Sequence, residues 1–306
     1  MTAATRELQK VTTSMMNAIH DLPVLVARDE GFFRDEGLDV EVLTTPGSGQ
    51  HGSDHRALRD NIFARTLEAS YEQHQCDQFR MCEWGIMKRA VESVVQPGHR
   101  TAKIVALGSA MSSFAIVTDP KLGIYEPEQL KNVPIAVSAF NGSHFTMLKM
   151  MEGFLKRDAI KITNAGTHRE RLEALRQGKV KAANLQEPWI SVAEKQGCRV
   201  LVEAHSTRSE AAGDELDGST LAKMFRAEAR AAEAIQNKPE KYAHYIVEEA
   251  GGLIELRDLK LSRLLNAPPA PYTRERFNDT YQWTRSWDLA PAGATYENTV
   301  DNRAWQ

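Results

Sequence analysis

Two histidines one helical turn apart, His51 and His55, flank Asp54 in a glycine-rich stretch, and that pairing is the first candidate for proton chemistry. A neutral imidazole titrates near working pH, so it can give or take a proton there. The i, i+4 spacing would also let both rings share a metal ion on a helix. Gly52 marks a loop instead, and no spacing fixes a third ligand, so no metal is expected. Asp54 as the N-cap of the following helix is the competing structural reading.

Arg80 interrupts an apolar run, Phe79-Arg80-Met81-Cys82, where a guanidinium is costly to bury unless it meets an anion or a carboxylate. Either it clamps a substrate carboxylate or sulfinate through paired hydrogen bonds, or it closes an internal salt bridge with Glu83 or Asp77. Glu83 joins the acid–base set if the strand end turns it inward. Trp84 is either a flat wall for an aromatic ligand or core. Asn141, Gly142, Ser143 and His144 lie between a strand pattern and a helix pattern. The backbone N–H groups at such a helix start, with the Ser143 hydroxyl, form an anion pocket, though the same residues suit capping equally well. His144 is a proton donor or an exposed helix residue. Glu187 and Trp189 end another strand, and Asn17 and His20 precede the first helix. The histidines at 74, 99, 168, 205 and 244 lie in polar stretches and receive no role.

The elements that must position these residues follow from period and punctuation. Strands are expected at 10–17, 38–43, 76–84, 101–110, 112–119, 133–140 and 181–189, with helices starting at Pro23 and covering 54–74, 85–95, 145–157 and 169–178. Residues 207–306 read as mostly helical, with a rigid connector at 267–271. Such alternation is the signature of a parallel α/β sheet. Ligands of open α/β sheets sit outside the carboxyl ends of the strands, which selects residues 17–20, 47–55, 80–84, 141–144 and 186–189.

Composition narrows the function. The 306 residues carry 38 basic against 41 acidic side chains, a net charge of −3, so electrostatics gives no case for nucleic acid or an anionic membrane as partner. No run of apolar residues reaches the roughly 18 that a transmembrane helix needs. Three cysteines do not make a disulfide framework. The first twenty residues show no apolar segment of a secretory signal, so a cytoplasmic location is expected.

Four passages, residues 22–43, 133–145, 175–189 and 296–305, resemble the type II periplasmic-binding-protein-like family in its taurine/nitrate/aliphatic-sulfonate and thiamine-pyrimidine branch. The resemblance implies a two-lobed α/β fold with an interlobe cleft and a helical C-terminal third. Lobe 1 would comprise residues 1–112 and 205–306, and lobe 2 residues 113–204. That scaffold carries both transport receptors and enzymes. Residues 12–33 and 47–56 are similar to the 2'-hydroxybiphenyl-2-sulfinate desulfinases, which implies His55 as catalytic histidine and Arg80 as the substrate-binding arginine. The catalytic cysteine of those enzymes would fall at or beside Ala18, where there is none, and His20 stands in its place. Similarity to the 4,5-dihydroxyphthalate decarboxylases implies Glu83. The lysine that holds pyridoxal phosphate in the pyrimidine synthases has no counterpart at 80–83, so no cofactor is expected. The function expected is a lyase removing a carboxylate or similar oxyanion group from an aromatic or conjugated small acid. His55, Arg80, Glu83 and His20 would be catalytic; Asn17, His51, Trp84, Asn141, Gly142, Ser143, His144, Glu187 and Trp189 would bind substrate. The alternative is the substrate-binding protein of an importer for a small anion.

Overall fold

The computed structural model describes residues 7–44 and 66–306; His51, Asp54 and His55 lie outside the described residues. The first strand, β1 (Gln9–Met15), pairs in parallel with β2 (Leu38–Thr44), Val11 opposite Val40, and on its other side with β3 (Gln78–Cys82). Between β1 and β2 runs α1 (Ala18–Asp29), capped by Asn17, whose side chain accepts from the His20 N–H at 3.1 Å. This helix begins five residues before the expected start at Pro23. It bends at Asp21 (φ −124°, ψ 15°), and Pro23 falls in the first turn beyond the bend, where a missing N–H costs little. His20 thereby sits in the helix's first turn rather than in a loop.

Two long strands tie the molecule together. Residues 103–118 form one strand, β4 (Lys103–Thr118), where two were expected, and β8 (Arg199–Ala212) runs antiparallel to it. On the far side β4 pairs antiparallel with β7 (Ala182–Gln186), which pairs in parallel with β5 (Pro134–Val137), and β5 with β6 (Lys161–Asn164). The order is β2-β1-β3-β8-β4-β7-β5-β6, with β9 (Leu265–Asn266) on β4. The expected parallel sheet is therefore mixed. It is parallel inside each lobe and antiparallel where the crossing strands join, because β4 and β8 carry the chain across and back. The other correction is at 207–212, which belong to β8 and not to a helical region.

Helices α2 (Glu83–Val95), α3 (Gly142–Met151), α4 (His168–Arg176), α5 (Trp189–Lys195), α6 (Gly218–Asn237) and α7 (Arg274–Ser286) cover the sheet. In one lobe α1 and α6 bury Leu22, Val26, Leu221 and Met224 against Val11 and Leu38 of the sheet. In the other, α4 and α5 bury Leu172, Leu175 and Ile190 against Ala136, Ala183 and Leu185. The C-terminal α7 packs on α2 and reaches the second lobe through Trp283, whose Nε1 donates to Glu152 at 2.7 Å. Among the described residues no helix is long and apolar enough to cross a membrane.

Candidate functional site

The carboxyl ends of β3 and β7 and the starts of α1, α3 and α4 meet at a cavity of about 20 Å3 between the lobes. The first lobe contributes Met16, His20 and Cys82; the second contributes Asn141, Gly142, Ser143, His168 and Gln186; the crossing strands contribute Phe114 and Arg208. The lobes touch here through Asn17 Nδ2, which donates to Gln186 Oε1 at 3.4 Å. Gly142 also meets the first lobe here, since a Cβ there would lie in van der Waals contact, 3.4 Å, with both Cβ and Sγ of Cys82.

Arg208 stands opposite Cys82 in the β3–β8 register and is 1% exposed. Its Nε and Nη2 have no hydrogen-bond partner among the described residues. Burial pushes the guanidinium down to about 10, with Cys82 and Asp21 pulling the other way. Both imidazoles of the cavity are neutral at pH 7. Burial, then Arg208, then His168 hold His20 well below the usual histidine value, and neither of its ring nitrogens has a partner among the described residues. Burial and Arg171 lower His168 in the same way, opposed by a hydrogen bond to the Gln186 side chain. His168 Nδ1 and Gln186 Nε2 have no hydrogen-bond partner among the described residues. The Phe114 ring centroid lies 6.3 Å from that of His20 and 6.5 Å from that of His168, an apolar wall between them. Burial raises the Cys82 thiol to about 11, Arg208 working against it, so the thiol keeps its proton. One cation with two nitrogens unpartnered among the described residues, two neutral imidazoles and an amide N–H thus face one small space. Such a set recognises an anion through charge-assisted hydrogen bonds.

No family model and no curated protein sequence matches this chain. Solved structures do. The alkanesulfonate-binding protein SsuA from Xanthomonas axonopodis pv. citri, bound to MOPS, superposes with a TM-score of 0.69 at 12% identity, over 98% of this chain and 99% of that one. The chain has the type II periplasmic-binding-protein-like fold. The periplasmic nitrate-binding protein NrtA from Synechocystis PCC 6803 (TM-score 0.66, 11% identity, 96% and 84% of the two chains) and the desulfurization enzyme DSZB (0.60, 14%, 95% and 96%) share it. The type II periplasmic-binding-protein-like fold therefore brings neighbours that bind and a neighbour that is an enzyme.

Within this fold the expected site residues divide. His20, Asn141, Gly142 and Ser143 line the cavity, and Asn17 bridges it. The Ser143 hydroxyl is occupied locally, accepting from the Ser138 N–H at 2.9 Å, and Asn141 Oδ1 accepts from the Ser143 N–H at 3.0 Å, so this turn acts first as a cap. Arg80 is not among the lining residues. Its guanidinium lies 3.2 Å from Asp21 and 3.6 Å from each of Glu210 and Glu228, and it donates to Thr13 and Gln78. Burial opposes its charge, but these carboxylates outweigh burial and hold its pKa above the usual value. The internal salt bridge is thus formed, with partners other than the expected Glu83 and Asp77, and the arginine that lines the cavity is Arg208 rather than Arg80.

Glu83 opens α2 and is also elsewhere. It accepts from Tyr272, Thr280, Thr207 and both sides of the Arg276 fork at 2.6–2.9 Å. Burial alone would raise this carboxyl, yet Arg276 and the hydroxyls hold it below the usual range, which makes it an anchor for the C-terminal segment rather than a proton carrier. Trp84 packs on Trp283, ring centroids 5.3 Å apart. His144 is buried, accepts from the Phe140 N–H at 3.2 Å, and faces a separate cavity of about 420 Å3 beside Trp287 and Lys161. Glu187 accepts from Arg263 at 2.9 Å and from Ser191 at 3.0 Å, and Trp189 faces a surface groove of α4 and α5. Sequence reasoning passed over Arg208 and His168. The available signal for Arg208 was the i, i+2 spacing with Glu210, which puts both on the face that β3 presents with Arg80 and Cys82. Among the described residues no cluster of three His, Cys, Asp or Glu side chains could hold a metal.

Proposed function

We propose that this chain binds a small oxyanion, a carboxylate, sulfonate or nitrate, between its lobes, with Arg208 as the fixed cation. The observation that carries the reading is a fully buried guanidinium with two nitrogens unpartnered among the described residues. Burying a charge unpaired is costly, and an anionic ligand is what offsets that cost here. The names of the neighbours, a sulfonate-binding and a nitrate-binding protein, support the same ligand class. The cavity has room for about one water molecule, so an oxyanion enters with the lobes parted and is enclosed as they close on β4 and β8. Enclosure strengthens the Arg208 contact by excluding solvent. Titration calorimetry with ethanesulfonate, nitrate and benzoate tests the reading: at least one binds wild type, and Arg208→Met abolishes that heat. Equal binding by the variant would refute it.

A second reading, a lyase, is favoured by the two neutral imidazoles beside Arg208, which a purely ionic receptor does not need. In that reaction the bond between the ligand's carbon and its carboxylate or sulfinate group breaks. Carbon dioxide or sulfur dioxide departs, and the carbon takes a proton drawn from solvent and relayed by His20 or His168, whose neutral ring accepts at one nitrogen as it donates at the other. Release of carbon dioxide or sulfite from a panel of aromatic acids distinguishes the two; a ligand recovered unchanged at one per chain favours binding.

A further inference from the structure

The polar atoms left open in the cleft can be matched, donor by acceptor, to what a ligand must bring. Among the described residues the open donors are Arg208 Nε–H and Nη2–H, Gln186 Nε2–H and one N–H of His20. The open acceptors are the remaining ring nitrogen of His20 and one ring nitrogen of His168, whose Nδ1 has no partner. A neutral imidazole always presents one lone pair. A bare anion such as nitrate satisfies the donors and leaves both lone pairs facing its own oxygens. We infer that the ligand of this cleft is a monoanion bearing its own uncharged hydrogen-bond donor, a hydroxyl, next to the anionic group. The anionic group sits on Arg208 and the donor sits between His20 and His168.

This rests on the anion-binding reading of Arg208. The restriction to one charge follows from the neighbouring groups. Arg80 behind the cleft is already matched by Asp21, Glu210 and Glu228. Arg171, behind His168, is held by the carbonyls of Thr167 and Asn184. A second ligand charge would therefore lie buried without a partner among the described residues. A buried acceptor left unpaired costs enough to shift affinity by about tenfold or more, so the hydroxyl is a determinant of specificity.

The experiment is calorimetry of the full chain with matched probes: isethionate against ethanesulfonate, 2-hydroxybenzoate against benzoate, lactate against propionate. The expected result is that in at least one pair the hydroxylated anion binds about tenfold tighter. In His168→Leu and His20→Leu that preference shrinks to about twofold. The pairs are compared on wild type, so the result does not depend on either variant folding. A preference under about threefold in every pair that binds, or tighter binding of the unsubstituted anion, overturns the inference while leaving the Arg208 reading standing. Failure of every probe to bind refutes both.

Discussion

Arg80 and Arg208 lie on adjacent strands, on the same face of the sheet, and both are buried to within a few per cent. One is enclosed by Asp21, Glu210 and Glu228; the other meets a thiol, two imidazoles and an amide. Burial therefore does not distinguish a structural cation from one proposed to bind a ligand. The distinction lies in whether the chain itself supplies the counter-charge. The two surroundings also titrate in opposite directions, carboxylate-rich behind and imidazole-rich in front.

The comparison is most severely tested by removing each arginine. Arg80→Met leaves the buried cluster of Asp21, Glu210 and Glu228 without its cation and is expected to cost about 3–5 kcal/mol of stability by chemical denaturation. A loss below about 1 kcal/mol would mean that the carboxylates have neutralised one another by sharing protons. Arg208→Met is expected to weaken anion binding by about 100-fold or more while leaving the unliganded protein as stable as wild type or more so. Marked destabilisation without ligand would show that Arg208 has a structural partner after all.

Opposite titration sharpens the contrast. Burial, then Glu228, raise Glu210 well above its ordinary value of 4.5. The folded chain keeps that proton where the unfolded chain has lost it, so stability falls as pH rises above that value. His20 and His168 behave in reverse. Lowered from 6.5 in the fold, they take up protons only on unfolding, so they remove stability as pH falls below that value. Between the two values the contributions oppose each other; above 6.5 Glu210 is joined by Glu249, which burial raises to about 7. Stability should decline as pH rises above 6.5, by about 1.4 kcal/mol per unit for each proton that the fold retains and the unfolded chain has lost, and Glu210→Gln should reduce the slope. A slope unchanged in that variant would assign it to other groups. The smallest effect is expected at the turn between the lobes. Gly142→Ala sets a methyl in van der Waals contact with Cys82 and should change affinity by less than about threefold, with unchanged denaturant stability. A loss of about tenfold or more would show that the lobes close more tightly on a ligand than they do here.

Much of the scaffold was legible because its signals are local. Asn141 as a cap, the alternating apolar residues of β2, and the strands expected at 10–17 and 133–140 are each written in a few neighbouring residues. The ends of those two strands led to His20 and to the 141–143 turn. The decisive cation was not legible. β8 crosses between lobes and is buried on both faces toward its end, so Ser206-Thr207-Arg208-Ser209-Glu210 shows no polar-apolar alternation. His168 opens a helix among charged neighbours, and only tertiary packing turns its ring into the cleft. Arg80 was conspicuous for the right physical reason, and its partners arrive from α1, β8 and α6, far away in the chain.

The most direct measurement is a structure of the protein with a bound monoanion, 2-hydroxybenzoate or isethionate. The account predicts the anionic group within hydrogen-bond distance of Arg208 Nε and Nη2, with the hydroxyl against His20 or His168. An anion seated on Arg80, or in the separate cavity beside His144 and Trp287, with Arg208 untouched, would contradict it.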